Sequence, residues 1–115
     1  MTEPTETELA ARYGARLQAE AADLRAASDA TAAGRRPVEL DQNAIGRLSR
    51  QDALLGQAMA SAMEARRHGR LRAIAAAQAR MEDGAFGWCE DCGDFIGFAR
   101  LDVDPCAMRC VSCAS

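Results

Sequence analysis

Four of the five cysteines form two C-x-x-C pairs, Cys89-Glu90-Asp91-Cys92 and Cys110-Val111-Ser112-Cys113, separated by 17 residues. Each pair places two sulfurs on one tight turn, and two such turns at this spacing can complete a tetrahedron around a single zinc ion. With all four positions filled by thiolates no place remains for water or substrate, so one structural Zn2+ is expected. A redox dithiol pair, or unrelated core cysteines, is the competing reading of the same residues. Cys106, four residues before Cys110, reads as a small buried hydrophobe, with a redox thiol able to displace a ligand as the alternative.

Between the pairs, Gly93, Gly97, Phe95, Ile96 and Phe98 suggest a short hairpin, and Asp104-Pro105 suggests the N-cap and first residue of a terminal helix. Phe86, Trp88 and Phe95 flank the cysteine turns and read as finger core. From Gly84 to Ser115, five acids against Arg100 and Arg109 leave a net charge of −3. A zinc ion with four thiolates adds two further negative charges, and so acidic a module is repelled by phosphate. Direct, specific DNA binding is therefore not expected.

Two long helices must carry this module. Leu9, Tyr13, Leu17 and Leu24 recur at helical steps within residues 5–33, and Gly34 with Pro37 ends that run. After Asp41, a candidate N-cap, Ile45, Leu48, Leu55, Met59, Met63, Leu71, Ile74 and Met81 recur mainly at steps of three, four and seven, with Asp52 and Ala62 filling register positions. Ser49 is an alternative start, and Gly84 marks the end. A helix over about 49–83 is roughly 50 Å long at about 1.5 Å per residue, too long for a compact sphere of this chain length. The expected fold is mainly α: a long antiparallel two-helix coiled coil over residues 1–83, its tip at about 34–52, followed by a four-cysteine zinc finger over 84–115. The run Arg66 to Arg72, with His68 inside it, reads as a solvated helix face.

Composition agrees with thin helices. The 115 residues are 49% hydrophobic but only 4% aromatic, and alanine, which favours helix and buries little, is unusually frequent. A deep apolar pocket and an enzymatic role are not expected. The net charge is −3 and all 14 basic residues are arginine, a balance unsuited to a general nucleic-acid coat. No stretch is apolar enough to span a bilayer and the amino terminus is acidic, so a cytoplasmic location without membrane association is expected.

The run from Gly87 to Ala114, GWCEDCGDFIGFARLDVDPCAMRCVSCA, resembles the TraR/DksA family, whose fingers read approximately G-Y-C-x-x-C-G-x-x-I-x-x-x-R-L-x-x-x-P-x-A-x-x-C-x-x-C. The matching residues are Gly87, Cys89, Cys92, Gly93, Ile96, Arg100, Leu101, Pro105, Ala107, Cys110 and Cys113. The resemblance implies a non-enzymatic transcription regulator that binds bacterial RNA polymerase and inserts its coiled coil into the secondary channel, bringing acidic tip residues towards the active centre. The family's tip motif D-x-x-D-x-A is not intact here. Asp41 in Asp41-Gln42-Asn43-Ala44 and Asp52 in Ser49-Arg50-Gln51-Asp52-Ala53 are the two candidates, with helix capping as their structural alternative. Asp52 is favoured because its heptad position would leave a charge near the helix seam. In the family, basic residues just before the finger proline and just after the last cysteine contact ppGpp. The corresponding positions are Asp104 and Ala114, which leaves a ppGpp response doubtful. Two rival functions stay open, a nucleic-acid-binding zinc protein and a thiol or zinc redox sensor.

Overall fold

The computed structural model describes residues 3–35 and 47–114, with side chains described at all of them except 34 and 47–49. Asp41 and Ile45 lie outside the described residues. Helix α1 spans Glu6–Ala30, a 3-10 turn follows at Ala32–Arg35, α2 spans Arg47–Asp83, α3 Phe98–Val103 and α4 Val111–Ala114. Among the described residues there is no strand beyond one isolated antiparallel bridge between Trp88 and Phe95. The mainly helical class holds: two long helices, then a cysteine cluster close to the C-terminus. No helix among the described residues is long and apolar enough to cross a membrane.

Local chemistry sets the helix ends. The Thr5 hydroxyl accepts the Glu8 amide at 3.1 Å, satisfying one of the donors that a helix N-terminus leaves open, and Glu6 and Glu8 place negative charge at the positive end of the dipole. The far end falls short of residue 33: the Thr31 amide and hydroxyl both donate to the Ala27 carbonyl, at 3.1 and 2.7 Å, and the chain then tightens into the 3-10 turn. At the end of α2, Gly84 takes φ 77° and the amides of Ala85 and Phe86 both close on the Arg80 carbonyl. The Arg80 side chain then reaches forward to the carbonyls of Ala85 and Trp88. Only glycine enters this left-handed turn without strain, so the chain reverses here into the finger.

The chain divides into two compact units, residues 1–22 with 71–115, and residues 23–70. In the first, Leu9, Tyr13, Leu17 and Ala21 form a buried stripe at steps of four, joined in the core by Ile74 and Ala77 of α2 and by Phe86, Ile96 and Leu101. Ala21, and not the half-buried Leu24, carries the stripe onward. The rings of Tyr13 and Phe86 lie 5.7 Å apart. Gly87, at φ 89°, leaves room for Leu9, whose Cδ1 would sit 3.1 Å from a Cβ at that position.

Asp102 on α3 fastens the finger to α1. Its carboxylate accepts Arg12 at 2.8 and 3.2 Å and the Tyr13 hydroxyl at 2.7 Å, while its carbonyl accepts Arg16 at 2.7 Å. The Arg12 guanidinium also lies over the Phe98 ring, 4.4 Å from its centroid. Hydrogen bonds from Arg12 and then Tyr13 hold Asp102 below the ordinary carboxylate range. Burial first, and then the bond to Asp102, push the Tyr13 phenol up to about 12.

The second unit corrects the expected register of α2. Its inward positions are Ala53, Gln57, Ala60, Glu64 and Arg67, at steps of four, three, four and three. Leu55 and Met59, assigned to the apolar stripe, are 61% and 59% exposed, and Met63 is exposed as well. Asp52 is also exposed, so it lies off the seam. The reason is a buried carboxylate: Glu64, 7% exposed, meets Arg35 at 2.9 Å, Arg67 at 3.1 Å and His68 Nε2 at 2.9 Å. Ser28 beside it, although outside strict hydrogen-bond geometry, lowers the Glu64 pKa, and Arg67 and Arg35 lower it further. Arg67, expected on a solvated face, is instead largely buried with Glu64; His68 stays exposed while making its contact.

Two outcomes follow. Leu17→Ala should cost about 2–5 kcal/mol in urea unfolding, and Leu55→Ala about 0.5 kcal/mol or less; reversed values would restore the expected register. Because the folded-state pKa of Asp102 is depressed, its stabilisation is present above the unfolded value of about 4 and is lost as pH falls through the folded value. The difference in unfolding midpoint between wild type and Asp102→Asn should therefore be open at pH 7 and close below about pH 4.

Candidate metal centre

The turn that follows α2 builds the first half of the site. The Cys89 amide donates to the Asp94 carbonyl at 2.8 Å and the Gly93 amide to the Cys89 carbonyl at 2.9 Å, curling the segment so that Cys89 and Cys92 face the same way. The Trp88–Phe95 bridge and the Ile96 amide on the Gly87 carbonyl close its base. Ring contacts of Phe95 with Trp88 and Phe98, at 5.5 and 5.1 Å, fill one side, in keeping with the finger-core reading of these aromatics. Phe98 opens α3, so the hairpin expected between the cysteine pairs is limited to that single bridge.

The second half comes from the end of the chain. Asp104 ends α3, and its carboxylate accepts the Cys106 amide at 2.9 Å, turning the backbone through Pro105. The expected helix start at Asp104-Pro105 is thus a side-chain-capped turn, and the terminal helix begins at Val111. The Glu90 amide on the Met108 carbonyl, at 2.9 Å, sets the two halves side by side.

The sulfurs of Cys89, Cys92, Cys110 and Cys113 consequently lie within 4.8 Å of one another. Cys92 Sγ and Cys110 Sγ are 3.8 Å apart, and a tetrahedron with metal–sulfur bonds of about 2.3 Å has an edge of about 3.8 Å. The donor set therefore fits zinc. The chemistry of the sulfurs agrees. The Cys110 and then the Cys92 backbone amides bring Cys89 down to about 6. Cys113 is pushed up to about 12 by Cys110, then by Cys89 and Cys92. At Cys92 the Asp94 amide favours the thiolate, but the neighbouring sulfurs of Cys89 and Cys110 outweigh it and the pKa rises. One thiolate thus disfavours the next, and four can coexist only around a cation.

Cys106 is buried and is not one of the four clustered sulfurs. Asp52 lies on α2 in the other compact unit, with no part in this centre. Arg109, which the sequence marks only as one of two basic charges in the finger, places its Nε 3.1 Å from Glu90 and 3.3 Å from Asp91. A single arginine beside a cysteine carries no sequence signal until the acidic residues inside the opposite C-x-x-C turn are brought against it.

Residues 84–115 match the family described as the prokaryotic dksA/traR C4-type zinc finger. The C-terminal segment is thus a zinc finger of the DksA/TraR type. The RNA polymerase-binding transcription factor DksA of Escherichia coli K12 is 47% identical over 34 residues, which are 30% of this chain and 22% of that protein. DksA of Caulobacter vibrioides is 50% identical over 32 residues, 28% of this chain and 22% of the relative. These matches thus span about a fifth of the relatives' length. The structure of transcription factor DksA2 from Pseudomonas aeruginosa is similar over 95% of this chain and 70% of its own, with a TM-score of 0.56 and 25% identity. A C4-type family together with the converged sulfurs makes the zinc structural.

Purified protein should carry one zinc per chain. Serine at Cys89, Cys92, Cys110 or Cys113 should lower zinc content and loosen the finger, and acidification should release the metal, because protons compete for the thiolates. Cys106→Ser should retain full zinc. Metal analysis reads each case, and zinc loss from Cys106→Ser would overturn the ligand set.

Proposed function

We propose that this protein is a transcription regulator that binds bacterial RNA polymerase and modulates initiation. The observation that carries the reading is the likeness to DksA2 over 95% of the chain, helices included, beside finger relatives named as RNA polymerase-binding transcription factors. In this reading residues 1–83 supply a helical arm whose end approaches the active centre through the secondary channel, and residues 84–115 brace it. The arm would act by placing negative charge near a metal-dependent centre, with no chemistry of its own.

Asp52 and Asp41 are the proposed acting carboxylates. Asp52 lies inside α2, which begins at Arg47, so N-capping does not account for it, and its side chain is exposed. An exposed acid with no seam or cap duty is available for a partner. Neither rival reading draws comparable support, since the finger carries more acidic than basic residues and Cys106 is buried.

Co-purification with polymerase and altered output from a ribosomal-RNA promoter in vitro test the proposal, which fails if neither is seen. Asp52→Asn should leave far-UV circular dichroism unchanged while promoter output returns toward the polymerase-alone level. Asp41→Asn should do the same if Asp41 shares the role. Full activity in both variants would remove these carboxylates from the mechanism.

A further inference from the structure

The first C-x-x-C turn encloses two acids, Glu90 and Asp91, between its sulfur ligands. With two thiolates of its own it is densely negative, and the second turn brings two more thiolates against it. The charge facing this cluster comes from the residue directly before Cys110. Arg109 Nε lies 3.1 Å from Glu90 Oε1 and 3.3 Å from Asp91 Oδ2, so one guanidinium spans both acids. Arg80 stands further off, 3.9 Å from the other Glu90 oxygen. The backbone around Arg109 is anchored: its carbonyl accepts Arg100 Nε at 2.8 Å and the Met108 carbonyl accepts the Glu90 amide at 2.9 Å.

We propose that Arg109 is a positioning residue of the metal centre: by bridging Glu90 and Asp91 it latches the two cysteine turns together and slows the loss of zinc. An isolated ion pair at this exposure contributes little to folding stability. This one joins the interior of one ligand-bearing turn to the shoulder of the other, and metal release requires those turns to part. Its effect should therefore appear in the rate of metal loss, not in overall stability, and should weaken with salt because Arg109 is about half exposed. The inference rests on the zinc centre and is independent of the polymerase reading.

The test uses the full-length, zinc-loaded protein, with metal content measured first, and follows release into excess chromophoric chelator at low and high salt. Arg109→Gln should lose zinc roughly threefold to tenfold faster at low salt. The gap should narrow at about 1 M salt, where the screening length is about 3 Å, and Arg109→Lys should fall between. Far-UV circular dichroism and the absorption of cobalt-loaded protein should show helices and tetrahedral geometry unchanged. On a Glu90→Gln/Asp91→Asn background the Arg109→Gln change should have no effect on the release rate. Equal release rates for wild type and Arg109→Gln at low salt would overturn the latch, as would a gap insensitive to salt or one that persists without the two acids. Absence of zinc from the wild type would overturn both the centre and the latch. If Arg109→Gln does not fold, the salt dependence of Arg109→Lys against wild type decides.

Discussion

Like charges must converge before this finger can exist. Four sulfurs within 4.8 Å of one another cannot all ionise unless a dication sits among them, and the opposed shifts of Cys89 and Cys113 are the trace of that conflict. The residues involved are too few to enclose a self-sufficient core. Once the two turns are tied by metal, however, Ile96, Leu101, Pro105 and Cys106 are held as one buried block. Leu101 then joins the stripe of α1, and Asp102 beside it meets Arg12, Tyr13 and Arg16. Metal binding, finger packing and attachment to the helix are therefore successive links of one chain.

That attachment is polar and local as well as apolar. The carboxylate and carbonyl of one aspartate occupy two arginines and a tyrosine on consecutive turns of α1, so the finger is fixed in orientation as well as in place. Gly84 and Gly87 make the approach possible, since both take positive φ and both stand close to side chains of α1.

Much of this was legible in the sequence, and the misses share a cause. Cysteine spacing is set by coordination geometry, which is local, so the metal centre could be read from residue types alone. Gly84 ended α2 as expected because a backbone sign change needs glycine. The register of α2 held at Ile74 but failed over residues 53–67, because there the seam is made of Ala53, Ala60 and Glu64, while the large apolar residues Leu55 and Met59 face outward. Hydrophobic periodicity assumes that large apolar groups face inward, and small residues that permit close helix approach leave almost no such signal. Glu64 and Arg109 were invisible for a different reason: their partners Arg35, Glu90 and Asp91 lie 18 or more residues away along the chain.

The buried Glu64 has a consequence for how uniquely the helices of its unit can pair. A seam of alanines is nearly degenerate, because sliding one helix past the other exchanges one methyl for another at little energetic difference. A single carboxylate that faces Ser28 and Arg35 across the seam reduces that degeneracy, since a shifted alignment draws it away from Arg35 while Arg67 and His68 move with it on the same helix. The group that looks least suited to a helix interior thus acts as its alignment key, favouring one among a family of near-equivalent pairings.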